Sequence, residues 1–142
     1  MTIRRKSRED ALKILYQLDI SDNFKIPINL ELFTSILNIN SLSKDFTITI
    51  VEGVIKNSQF IDNLISKFSL KWKLDRLLFI DKNILRIATY EIWFLPEIPP
   101  AVSINEAIEI SKKYGSQDSP QFINGLLNSI KEEFEKHEKK ST

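Results

Sequence analysis

Apolar side chains recur every three or four residues along most of this chain, the spacing of a helix face. In residues 7–18, Ala11, Ile14, Leu15 and Leu18 fall on one side of a predicted helix, and Tyr16 lies well off that stripe. "LELFTSILNI", from Leu30 to Ile39, follows Pro27 and Asn29 and reads as a second helix. It is too short to stand without tertiary contacts. Residues 44–69 carry two signals: Phe46 to Val51 is β-branched and suits a strand, while Val54, Ile61, Leu64, Ile65 and Phe68 keep helical spacing. One long helix is expected there. "DRLLFIDKNILRIATYEIWFL" is apolar around much of its circumference, through Leu77, Leu78, Ile80, Ile84, Leu85, Ile87, Ala88, Ile92 and Phe94, and is expected to be the central helix with Asp75 as its cap.

Proline and glycine punctuate the rest. "PEIPP" at residues 96–100 breaks the central helix, since proline removes a donor and restricts the residue before it. Ser103 and Glu106 have the S-x-x-E spacing of a capping box, which predicts a helix carrying Ala107, Ile108, Ile110 and Tyr114 and ending at Gly115. After the loop "SQDS", Ser119 and Pro120 start a last helix that buries Ile123, Leu126, Leu127, Ile130 and Phe134 and dissolves into "EKHEKKST". Gly125 stands in its second turn at a cost of about 1 kcal/mol relative to alanine. Close packing of another backbone is the expected reason. The pattern predicts an all-α chain of about six to seven helices, with no glycine-rich phosphate loop.

Composition removes much of catalysis from consideration. The 142 residues contain no cysteine and one histidine, His137, so thiol nucleophiles, disulfides, Cys/His zinc sites and histidine triads are excluded or nearly so. No metal, cofactor or small-molecule substrate is expected. A hydrophobic fraction of 42% over this length suits one domain with a real core. Signal-peptide and bilayer-spanning runs are lacking, so the expected location is cytoplasmic. The formal net charge of +1 argues against a uniformly basic nucleic-acid binder, yet Arg4, Arg5, Lys6 and Arg8 all precede the first acid, Glu9. Any basic patch is local.

Three motifs in the C-terminal half, "DKNILRIATYEI" from Asp81, "INEAIEI" from Ile104 and "DSPQFINGLL" from Asp118, together resemble the NusB family of transcription antitermination factors. Arg4, Arg5, Arg8, Glu9 and the "ALKILY" of residues 11–16 are similar to that family's arginine-rich first helix. Between residues 19 and 74 only the helical pattern matches. The resemblance implies a single NusB-like RNA-binding domain over residues 1–142, built as two small helical bundles packed perpendicularly, with an N-terminal subdomain of about 1–70 and a C-terminal one of about 74–137. It also implies no enzymatic activity. The partners it implies are the single-stranded boxA element of nascent ribosomal RNA, the ribosomal protein NusE, and the antitermination complex of Nus factors on RNA polymerase.

Each candidate residue has a structural reading beside its functional one. Arg4, Arg5 and Arg8 form a solubilising start or, as in the family, an RNA-binding arm, because guanidinium forks phosphate and stacks on bases. Phe122 sits about 100° from the centre of its helix's apolar stripe, at a turn where free N–H groups favour anions. It either closes the helix start or stacks an unpaired base, and the family motif points to the base. Gln121 replaces a lysine frequent in the family, which removes one phosphate contact. Asn124 suits a hydrogen bond to RNA as well as plain solvation, and Lys113 is included for its charge alone. Tyr16 and Asp81 match family positions at the NusE interface, against an ordinary half-buried tyrosine as the alternative reading. Arg86, Glu91 and Glu106 are expected to be internal pairs orienting helices.

Two other functions share this pattern. One is a helical protein-protein adaptor with incidental arginines. The other is an RNA-binding module related to the N-terminal domains of ribosomal RNA methyltransferases, although this sequence carries neither a nucleotide-binding βα unit nor a cysteine nucleophile. A helix-turn-helix DNA binder fits poorly, since no helix clusters base-reading side chains.

Overall fold

The computed structural model describes residues 2–21, 30–69 and 77–141. Among them are seven helices and no strand: α1 (Ile3–Ile20), α2 (Leu30–Ile36), α3 (Ser41–Lys56), α4 (Ser58–Phe68), α5 (Phe79–Phe94), α6 (Pro100–Tyr114) and α7 (Ser119–Ser141). The central position expected of α5 is observed, for every residue from 81 to 92 is buried. It packs against α1, α3, α4, α6 and α7, so its apolar circumference is matched by neighbours on all sides.

The β-branched run of α3 is helical because tertiary contacts override a weak propensity. Thr47, Ile50, Val51 and Val54 are fully buried, and α3 is tied to α1 by Ser7 Oγ donating to Ser43 O (2.8 Å) and Thr47 Oγ1 donating to Ser7 O (3.3 Å). Glycine is needed once here: a Cβ on Gly53 would overlap the Tyr90 ring, which lies directly on the α3 backbone. The single helix expected over residues 44–69 is two. Asn57 departs from helical geometry (φ −107°, ψ 19°), and its side-chain amide donates to Gly53 O at 2.8 Å, sharing that carbonyl with its own backbone N–H (3.1 Å).

Other helix ends differ from the pattern for local reasons. α2 stops at Ile36 rather than Ile39, because Asn38 adopts the left-handed conformation (φ 54°) that asparagine tolerates. α5 begins at Phe79, and the expected Asp75 cap lies outside the described residues. α6 begins at Pro100, with proline where its missing N–H costs nothing, so Ser103 and Glu106 form no capping box. Their side chains serve other helices. α7 stays helical through Ser141 instead of dissolving at residue 135, with Phe134 and His137 packed on Trp93 (ring centroids 5.3 and 5.2 Å). Gly125 is the sharpest departure. Its Cβ position has nothing within 4 Å and the residue is exposed, so close internal packing is not why glycine is there.

Candidate nucleic-acid interface

The arginines of α1 share one turn and have three different surroundings. Arg4 is exposed, with its guanidinium 4.6 Å from the Phe46 ring centroid, a cation–π distance. Arg5 is part-buried and forks Glu106 of α6 through Nε (3.0 Å to Oε1) and Nη2. Arg8, expected on the RNA-binding arm, is buried in the free chain. Its Nε and Nη2 each lie 2.7 Å from a Glu91 oxygen, and Nη1 is 3.4 Å from Glu106. Ser103 Oγ donates to Glu91 Oε1 at 2.8 Å. The reason for Arg8's burial was present in the spacing, since residues 8, 11 and 15 lie on one face and Arg8 continues the stripe of Ala11 and Leu15. The Arg5 hydrogen bond, with the charges of Arg5 and Arg8, holds the Glu106 carboxyl below its ordinary value against the opposing effect of burial.

Further along α6, Lys113 pairs with Glu9 Oε1 (2.9 Å) while remaining half-exposed, and the Tyr114 hydroxyl donates to the same oxygen at 2.7 Å. Burial alone would raise the Glu9 carboxyl. The hydrogen bonds from Tyr114 and Lys113, with the charges of Lys113 and Lys13, bring it below its usual range. Arg5 contacts residue 106 and Glu9 contacts residue 113, so long side chains bridge α1 and α6 at two levels. Seven helical residues put Lys113 about 10 Å beyond the Arg5 contact.

Beyond Lys113 the chain turns at Gly115, whose backbone is extended (φ −92°, ψ −172°). A Cβ there would lie 2.6 Å from Ser119 Oγ, so glycine lets that hydroxyl tuck inward. Ser119 Oγ accepts from Ser116 N (2.9 Å) and donates to Asp81 Oδ1 (2.7 Å), linking the start of α7 to the first turn of α5. Burial pushes the Asp81 carboxyl up, more than the Ser119 hydrogen bond lowers it. Phe122 is half-buried at the edge of a cleft of about 390 Å³ that includes Leu77, Leu78, Asp81 and Asp118. Asn124 is exposed and accepts from Asn128 Nδ2 at 2.9 Å. Tyr16 is half-buried and meets Phe79 edge to face, with ring centroids 6.2 Å apart. Tyr16 and Phe122 thus border the first turn of α5 from different sides. Leu78, expected among the apolar positions of the central helix, instead precedes it and is exposed; Phe79, also exposed, was not singled out by the pattern.

Arg86, Glu91 and Glu106 act inside the fold. Arg86 forks Asp62 of α4 (2.8 and 2.9 Å) and pairs with Asp19 of α1 (2.9 Å). Among the described residues no group of three His, Asp or Glu is placed to hold a metal ion, and no helix is long and apolar enough to cross a membrane.

Fold and site together define a small all-helical binding domain arranged around one buried central helix. The sequence model of the NusB family matches residues 5–132. The chain is 41% identical over 129 residues to the transcription antitermination protein NusB of Bacillus cereus, a match covering 91% of this chain and 97% of that one. The solved structure of T. maritima NusB is similar at 37% identity with a TM-score of 0.80, covering 92% of this chain and 91% of that one. A NusB solved with NusE and double-stranded RNA is similar at 27% identity and a TM-score of 0.78, covering 94% and 98%. The chain belongs to the NusB family of transcription antitermination proteins.

Proposed function

We propose that this chain is a transcription antitermination factor that binds boxA RNA of nascent ribosomal transcripts together with NusE, and helps RNA polymerase pass termination signals. The observation that carries this is the family match over nearly the whole chain, joined by a related NusB crystallised with NusE and RNA. In this reading the protein works by binding alone, without catalysis, in the cytoplasm. The division into an N-terminal subdomain of about 1–70 and a C-terminal subdomain of about 74–137 belongs to the same proposal, with α5, in the second, packing against helices of both.

RNA is received along a path from Arg4 and Arg5, past Lys113, to Phe122 and Asn124. Arg4 supplies a cation that faces no carboxylate among the described residues, and Phe122 supplies a half-buried ring at a helix start. Arg8 contributes by fixing α1 against α5 and α6. Tyr16 and Asp81 belong to the NusE side, at the first turn of α5.

A titration of the chain against boxA RNA and a scrambled strand, with and without NusE, tests this. Three phosphate-contacting cations at roughly 0.7 each give a log–log salt slope of about −2. Binding that ignores salt, or that fails with NusE present, favours the protein-protein adaptor instead. Tyr16→Ala is expected to weaken NusE binding and leave RNA binding by the free protein intact.

A further inference from the structure

The last turn of α5 carries an aromatic surface that contains none of the residues assigned to RNA or to NusE. From Asp81 to Phe94 the helix rises about 20 Å, so this surface lies at the other end of α5. Phe60 of α4 is 42% exposed there and Phe94 38%. Their rings meet edge to face (centroids 5.8 Å), Phe60 also meets Trp93 (5.1 Å), and Phe94 stacks on Tyr90 (5.6 Å, 20° between planes). Tyr90 is itself fixed, because its ring lies on Gly53, where a Cβ would overlap it. The rings are therefore held in place before any ligand arrives.

The edge of this surface is acidic. Glu52 of α3 and Glu97, in the turn after α5, are both exposed, and neither has a hydrogen bond or ion pair among the described residues. Both lie close enough to act on Tyr90: burial raises its hydroxyl above the ordinary value, and the charges of Glu97, Glu52 and buried Glu91 raise it further. Lys56, one turn beyond Glu52, is an exposed cation beside them, so the edge stays net negative. On the other flank Trp93 carries Phe134 and the exposed His137. Unanswered carboxylates repel phosphate, whereas a guanidinium lies flat on an aromatic ring and forks a carboxylate. A second copy meeting this face about a two-fold axis adds the same net-negative edge to the same interface. Charge therefore favours a cationic segment of another protein.

We propose that this surface docks an arginine-bearing segment of a further protein partner, with the guanidinium against the Phe94 and Phe60 rings and its charge answered by Glu52 and Glu97. Asp81, Ser119 and Phe122 lie at the other end of α5, so the segment and NusE have separate places. The inference goes beyond the antitermination reading and does not depend on it. It gives the chain a third point of attachment within an assembly.

The test titrates the full chain with the capped peptide Leu-Arg-Leu-Arg-Leu, and with its neutral citrulline counterpart as control, read by amide chemical shifts. Saturable shifts at Glu52, Phe60, Phe94 and Glu97 are expected with the arginine peptide and not with the citrulline one. Glu52→Gln combined with Glu97→Gln, two exposed positions whose change spares the core, is expected to weaken binding at least about threefold, as for two exposed ion pairs. Phe94→Leu keeps apolar area and removes the ring, and is expected to weaken it about two- to fivefold, as for an exposed cation–π contact. Equal binding of the citrulline peptide, shifts confined to Leu78, Asp81 and Phe122, or a double glutamine variant that binds like the unaltered chain each overturn the assignment. Self-association in sedimentation equilibrium that Phe60→Ser abolishes gives the face to a second copy and overturns it as well. The double glutamine variant is expected to keep its affinity for boxA RNA and for NusE. A loss of either makes the acidic edge part of that contact and removes the separate partner.

Discussion

Two corners of this molecule contain buried carboxylates, and they are built oppositely. Where α1, α5 and α6 meet, Glu91 and Glu106 are matched by Arg8 and Arg5, with Ser103 completing the hydrogen bonds of Glu91. Where α5 meets α7, Asp81 accepts from a serine, and no cation pairs with it among the described residues. A closed network of this kind fixes helices relative to one another, since both carboxylates are answered inside the protein while Arg5 keeps a third of its side chain exposed. The open corner leaves Asp81 with a single serine donor among the described residues. Basic residues near a helix start are therefore not evidence of a basic surface until their partners are known.

The largest expected effect breaks the closed corner. Glu91→Ala leaves buried Arg8 with only its longer, 3.4 Å contact to Glu106, and is expected to cost about 3 kcal/mol in chemical denaturation, whereas replacing the pair together, Arg8→Met with Glu91→Leu, recovers most of that. A loss below about 1 kcal/mol for the single variant shows that the network is not what holds the corner. On the open side, Phe122→Ala is expected to lose about 1–3 kcal/mol of boxA affinity through lost stacking. Unchanged RNA affinity with a lowered melting temperature returns Phe122 to the core.

Gly125→Ala sharpens the contrast further. With open space at the Cβ position, alanine is expected to stabilise the free chain by about 1 kcal/mol. A fall in melting temperature contradicts the exposed placement of α7's second turn.

The smallest effect is in pH. Glu9 and Glu106 titrate below their unfolded values, so the folded state binds fewer protons, and their stabilisation is present above about pH 4.5 and lost as pH falls through the folded values. Asp81 is raised, so its contribution has the opposite sign: the folded chain gains stability as acid protonates it. Denaturation midpoints from pH 7 to pH 3 are expected to fall less steeply in Glu106→Gln than in the unaltered chain. The difference is small because the Arg5 side chain is 33% exposed and its pairing is screened. Identical acid profiles remove Glu106 from the account.

Much of the architecture was legible because helices advertise themselves locally. The stripe of α1, the all-round apolarity of α5, the proline break and the stripe of α7 follow from 3.6-residue periodicity, and each formed where expected to within a few residues. Arg8 was equally legible in principle, lying on the stripe of Ala11 and Leu15, but its charge drew attention to the surface. Asn57, Ser103 and the partner of Glu106 were not legible. Their side chains answer groups that are remote in sequence or that compete locally with the backbone, as Ser103 does across 12 residues to Glu91 and Arg5 across 101 to Glu106.

By itself, then, the sequence determined the helical class, the central helix and the family, since short-range periodicity and ordered motifs are properties of the chain alone. Tertiary structure decided which charges are available to a ligand. Charge availability depends on whether a partner of opposite sign lies within hydrogen-bond reach after folding, and for Arg4, Arg8 and Asp81 that answer comes only from the packing of α1, α5, α6 and α7.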